Sequence, residues 1–65
     1  MNNNLPLFDE RDAARIMSCS VALMRKWRLF GEGPAYCKIG RLVRYRQEDL
    51  NAFLDSHRVE TGGGR

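Results

Sequence analysis

Residues 36–46 read YCKIGRLVRYR, and this stretch constrains the fold more than any other part of the chain. Apolar and cationic side chains alternate through it, with a glycine in the middle. A period of two sends successive side chains to opposite faces of an extended strand. Glycine takes the positive φ of a tight reversal at little cost. The stretch therefore predicts a β-hairpin turning at Gly40. Two registers compete. A two-residue loop, Gly40-Arg41, groups Cys37 and Ile39 with Leu42, Arg44 and Arg46, and groups Val43 and Tyr45 with Tyr36 and Lys38. Apolar and charged side chains then mix on both faces. A three-residue loop, Gly40-Arg41-Leu42, pairs Ile39 with Val43 and Cys37 with Tyr45. One face is then wholly apolar, and the other carries Tyr36, Lys38, Arg44 and Arg46. Register follows the buried face, so the longer loop is the expected one, with Arg41 at its tip. Leu42 at that tip is either an incidental exposed leucine or a wedge against a sugar or base step.

The hairpin needs something to pack on, and the flanks supply helices. Asp9 is a good N-cap, and Asp12 sits three residues later beside the open N–H groups of a first turn. Ala13, Ala14, Ile16 and Met17 then predict a helix over about residues 10–17. Ser20 predicts the cap of a second helix, VALMRKWRLF, after only a short turn. In that helix Met24 and Trp27 fall on the side facing Ile16 and Met17. At 100° per residue, Ala22, Arg25, Lys26 and Leu29 point away from it. Gly31 suits the position after the helix, and Pro34 blocks its continuation. In the last segment Gln47, Glu48 and Asp49 suit a first helical turn, and Leu50, Phe53 and Leu54 form an apolar stripe. The residues thus predict a mainly α domain with a small β-hairpin, in the order helix, helix, hairpin, helix. The domain is expected over residues 8–57, between a flexible arm (1–7) and a flexible tail (58–65).

Charge separates along the chain. From Arg25 to Arg46 there are seven cations against the single anion Glu32, a net +6, while the remainder carries four cations and seven anions, a net −3. A basic middle between acidic flanks points to a polyanionic partner met by one face. The bland alternative is a solvated charged surface. With 65 residues the chain has room for one small domain and little for an enclosed active site. Cys19, Cys37 and His57 lack metal-ligand spacing, and His57 has no visible nucleophile or carboxylate beside it. No enzyme, metal or cofactor is expected. No apolar run is long enough to span a bilayer, and no leader pattern opens the chain. The expectation is a cytoplasmic, nucleoid-associated prokaryotic protein whose cysteines are reduced.

Two quoted stretches carry a resemblance. LFDERDAARIMSCSVALMRKWR resembles the opening of small winged helix-turn-helix domains, L-x-T-x-x-E-A-A-x-x-L-x-V-S-x-x-T-[VL]-x-R-W. GEGPAYCKIGRLVRYRQEDLNAFL is similar to their G-x-x-P-x-[YF]-x-K-[IV]-G-x-x-[VI]-R-[YF]-x-x-x-D-L-x-x-[WF]-L. The family is that of the excisionases, or recombination directionality factors, in the MerR-like group. The likeness spans about residues 5–57. It implies a capping role for Ser20, basic recognition-helix positions at Arg25 and Lys26, and a core tryptophan at Trp27. It also implies wing residues at Lys38, Gly40 and Arg44, and a helix opening at Asp49 and Leu50. Three departures stand out. The family's G-V-S turn is Ser18-Cys19-Ser20 here, and Leu23 and Ala22 stand where polar side chains are common.

The combined expectation is a protein that binds double-stranded DNA, its second helix in the major groove. Ala22, Arg25, Lys26 and Arg28 are the candidate residues on that helix, and Lys38, Gly40, Arg41, Arg44 and Arg46 are those of the wing. Ala22 offers a methyl to thymine, and Arg41 suits a narrow minor groove. Lys38, Arg44 and Arg28 are expected to hold phosphates. Engagement of roughly five to seven cations implies a log–log salt slope of about −5 to −6. The resemblance implies an excisionase that bends attachment-site DNA of a mobile element and directs an integrase, with copies bound as a cooperative array. The alternatives are a small transcriptional regulator using the same contacts and, more remotely, a protein-interaction module.

Overall fold

Local hydrogen bonding starts and stops each helix of this chain. A computed structural model describes residues 7–61. Asp9 adopts an extended backbone, and its carboxylate accepts from the Asp12 N–H at 2.8 Å, opening helix α1 (Glu10–Ile16). Ser20 does the same for helix α2 (Val21–Leu29), its hydroxyl accepting from the Leu23 N–H at 3.0 Å. Gly31, with φ of 70°, ends α2. Its N–H donates to the Arg28 carbonyl and the Glu32 N–H to the Trp27 carbonyl, the paired bonds of a left-handed helix stop. Both caps and this stop are where the sequence places them.

The tight turn between α1 and α2 has the same left-handed form, built on a less suitable residue. The Ser18 N–H donates to the Arg15 carbonyl and the Cys19 N–H to the Ala14 carbonyl. Ser18 sits at φ of 56°, the sole positive φ outside glycine among the described residues. An L side chain there meets the following carbonyl, a strain of about 1–2 kcal/mol that glycine escapes. Glycine also gains freedom in the unfolded chain, which offsets part of the relief. Ser18→Gly is therefore expected to stabilise the domain by about 0.5–1 kcal/mol, read as a higher urea midpoint with unchanged slope. A lower midpoint would show that the Ser18 side chain contributes more than its backbone strain costs.

Three strands form one antiparallel sheet. Strand β1 (Leu7–Phe8) and strand β2 (Cys37–Ile39) flank a central strand β3 (Leu42–Arg46), and helix α3 (Gln47–Ser56) follows β3 without a break. Leu7 pairs with Arg46 and Phe8 with Tyr45. Leu7 therefore belongs to the sheet and not to the arm assigned to residues 1–7, the rest of which lies outside the described residues. The strand Leu7–Phe8 is too short to announce itself in sequence.

The hairpin register differs from the expected one. Cys37 pairs with Arg44, Lys38 with Val43 and Ile39 with Leu42, so the loop is the two residues Gly40 and Arg41. Gly40 has φ of 61° and Arg41 is not positive, which suits a two-residue hairpin with glycine first. Leu42 is thus a strand residue and not part of the loop. Ile39 and Cys37 do not face the core beside Val43 and Tyr45. Lys38 lies on the Val43 side of the sheet, opposite Arg44 and Arg46. The physical reason is that α1 and α3 pack against the central strand, while β2 is an edge. Ile39 is 54% exposed, so its apolarity does not select a face.

The core is small and joins every helix to β3. Ala13 and Ala14 of α1, Met24 of α2, Tyr45 of β3 and Leu50 of α3 are buried together. Trp27, half-buried, stacks at a tilt on Phe53 with ring centroids 5.1 Å apart. Its other neighbour is the backbone at Gly33, where an added Cβ would fall 2.7 Å from the Trp27 Cβ. The result is three helices on a three-stranded sheet, a winged helix-turn-helix.

Candidate nucleic-acid interface

Arginine gathers where α1, α2 and the hairpin meet. An open cleft of ≈ 320 Å³ is lined by Asp9, Glu10 and Arg11 of the α1 start, Arg25 and Arg28 of α2, and Arg41, Leu42, Val43 and Arg44 of the hairpin. Five cations face two carboxylates there, an excess of +3. Helix geometry explains the α2 share, since residues three apart lie on one side. The two-residue turn sets Arg41 at the hairpin tip, directly before the β3 residues Leu42, Val43 and Arg44 that complete the lining.

Glu10 organises the cleft. Arg25 donates to it through Nε, at 3.1 Å and 3.0 Å to its two oxygens, and through Nη2. Arg28 Nη2 donates to Glu10 at 3.0 Å, and Arg28 Nη1 donates to the Tyr45 hydroxyl at 2.9 Å. Hydrogen bonding from Arg25, then from Arg28, holds the Glu10 carboxyl below its ordinary pKa against the opposing effect of burial. Arg25 is held above its usual value by the same bond. These are charge-assisted pairs, of which the fork on Arg25 is the geometrically specific one.

The candidate residues divide by their partners. Ala22, Arg25 and Lys26 are exposed along the outer side of α2, as the 100° spacing predicts. Arg28 is not: its side chain is 19% exposed and is enclosed between Glu10 and Tyr45. Arg46 is turned the other way, toward the start of α3, with 2.9 Å to Asp49 and 3.1 Å to Glu48. That hydrogen bond holds the Asp49 carboxyl below the ordinary range. Among the described residues Lys26, Lys38, Arg41 and Arg44 have no carboxylate within ion-pair distance. Arg41 and Arg44 share the cleft with Arg25. Gly40 precedes them in the turn, with open space around it. Lys38 stands apart on the edge strand, and Lys26 lies beside the cleft rather than in it.

Glu10 and Tyr45 as partners of the arginines escape sequence reading. Glu10 is 15 residues from Arg25 and 18 from Arg28, beyond any helical spacing. The acidic residue at the α1 start reads locally as a favourable helix opening, which it also is.

Among the described residues no group of three or more His, Cys, Asp and Glu side chains is placed to hold a metal ion. No described helix is long and apolar enough to cross a membrane. A search of the curated proteins gives no significant match. The family model described as a helix-turn-helix domain matches residues 7–58, from the first strand to just beyond α3. With capped helices either side of a tight turn, an arginine-lined cleft beneath the hairpin and that match over most of its length, the chain belongs to the helix-turn-helix domain family and is a DNA-binding domain.

Proposed function

We propose that the domain binds double-stranded DNA in a sequence-specific way, with α2 in the major groove and the β2–β3 hairpin as a wing alongside. The observation that carries this reading is the cleft between helix and wing, with its excess of three positive charges. A phosphate backbone passing between two groove-contacting elements needs such a lining. Ala22, Arg25 and Lys26 face the base edges, Arg41 the narrow minor groove, and Arg44 and Lys38 the phosphates. Arg28, enclosed by Glu10 and Tyr45, and Arg46, paired at the surface with Glu48 and Asp49, support the fold of the interface rather than DNA.

That division changes the expected salt dependence. The four candidate cations without carboxylate partners, Lys26, Lys38, Arg41 and Arg44, give a log–log slope of about −4 rather than −5 to −6. Fluorescence anisotropy of the domain with a duplex at several salt concentrations measures it. A slope near zero, or no binding, would sink the reading and favour a protein-interaction module. Arg44→Ala is expected to weaken all sequences alike and to reduce the slope by about 1.

The biological role that the resemblance supports is that of an excisionase, which bends attachment-site DNA and directs an integrase toward excision. A domain this small covers a short site, so binding of neighbouring copies as an array is the natural route to a long one. Footprinting on recombination-site and promoter DNA separates this role from that of a transcriptional regulator. Protection of tandem sites in the former, filled cooperatively, supports the excisionase. Protection of promoter DNA alone supports the regulator.

A further inference from the structure

We propose that Glu10 is the positioning residue for sequence reading: it presents the Arg25 guanidinium edge-on to a guanine while screening its charge from phosphates. This inference rests on the docking of α2 proposed above.

The geometry begins in the core. Tyr45 is 1% exposed, and its hydroxyl accepts from Arg28 Nη1. Arg28 passes that rigidity to Glu10, whose side chain is 23% exposed. Glu10 in turn grips Arg25, whose side chain is 64% exposed. The four side chains form a relay from the buried strand to the outer side of α2. A long arginine at that exposure would otherwise sample many rotamers.

The grip uses a particular edge. Glu10 takes Nε and Nη2 of Arg25, two of the three nitrogens of the fork. Among the described residues no acceptor takes the other edge, Nη1 with the outer N–H of Nη2. Two parallel N–H groups in that arrangement match the O6 and N7 acceptors of guanine in the major groove. A carboxylate behind the arginine also cancels a charge that would bind any phosphate. Both effects favour the correct site over random DNA.

The test compares wild type, Glu10→Gln, Glu10→Asp and Arg25→Ala on a duplex selected by the wild-type domain. Each is measured again with every guanine of the site replaced in turn by 7-deazaguanine, and on an unrelated duplex. Wild type is expected to lose about 5- to 150-fold at one guanine. Arg25→Ala is expected to show no loss there. Glu10→Gln is expected to lose most of that discrimination and to bind the unrelated duplex more tightly. Glu10→Asp keeps the charge but is one methylene too short for the grip. It is expected to lose discrimination without the rise in unrelated binding, and it covers the case in which Glu10→Gln does not fold. Undiminished discrimination in the Glu10 variants overturns the proposal and leaves Glu10 a charge counterweight. A wild type that selects sites but shows no guanine loss tied to Arg25 overturns it while leaving the DNA-binding reading intact. A wild type that does not bind DNA removes both.

Discussion

Tyr45→Ala is expected to leave much of the population unfolded at 37 °C. Tyr45 is the largest of the fully buried side chains and sits at the centre of the sheet. It pairs with Phe8 across the sheet and lies 5.9 Å, centroid to centroid, from the Tyr36 ring. Truncating a buried aromatic costs about 3–5 kcal/mol through lost transfer energy and the cavity left behind. A 65-residue domain holds a reserve of only roughly 3–10 kcal/mol. The control is Tyr45→Phe, which keeps the ring and removes the acceptor of the Arg28 hydrogen bond. Arg28 retains Glu10 and some solvent, so that change is expected to cost about 1–2 kcal/mol. Urea titrations followed by circular dichroism read both. A Tyr45→Ala midpoint equal to that of wild type would mean that the core lies elsewhere.

The second large effect is expected at Trp27, for a different reason. Trp27 is half-buried, so Trp27→Ala belongs at the low end of the aromatic range, about 3 kcal/mol. For a domain of this size that lowers Tm by about 12–24 °C. The indole fills the space between Phe53 of α3 and the Gly33 backbone. Gly33 itself stands at φ of 85°, which an L side chain rarely adopts. Removing the ring takes away what holds that loop against the helices. Trp27 does not line the arginine cleft. Below the lowered Tm the variant is therefore expected to bind DNA as wild type does. Lost binding in a variant that calorimetry shows to be folded would assign Trp27 a direct part in the interface.

The helices and their ends were legible in the residues. Asp9, Ser20 and Gly31 act on backbone groups within about five positions, so nothing distant can overrule them. The outer side of α2, with Ala22, Arg25 and Lys26, follows from 100° per residue. Ser18 is the instructive intermediate: its departure from the family's glycine is visible in sequence, and the structure shows what the departure costs in backbone conformation. The hairpin was legible as a hairpin and misleading in register. The hydrophobic-face argument holds for strands that are covered, and β2 is a short edge on which Ile39 has no core to face. Its two-residue loop obeys turn geometry instead.

The cations show the same division. Their number, and their concentration between Arg25 and Arg46, are properties of the sequence, and with them the attraction to a polyanion. Which cations remain available is not. Arg28 and Arg46 are drawn to Glu10 and to the α3 carboxylates, while Arg41 and Arg44 are left facing the cleft. Short-range signals specify segments because a cap or a turn is decided by the few residues that make it. The pairing of charges across 15 or 18 positions waits on packing, because only the buried contact of α1, α2 and β3 brings Glu10 within reach of its arginines.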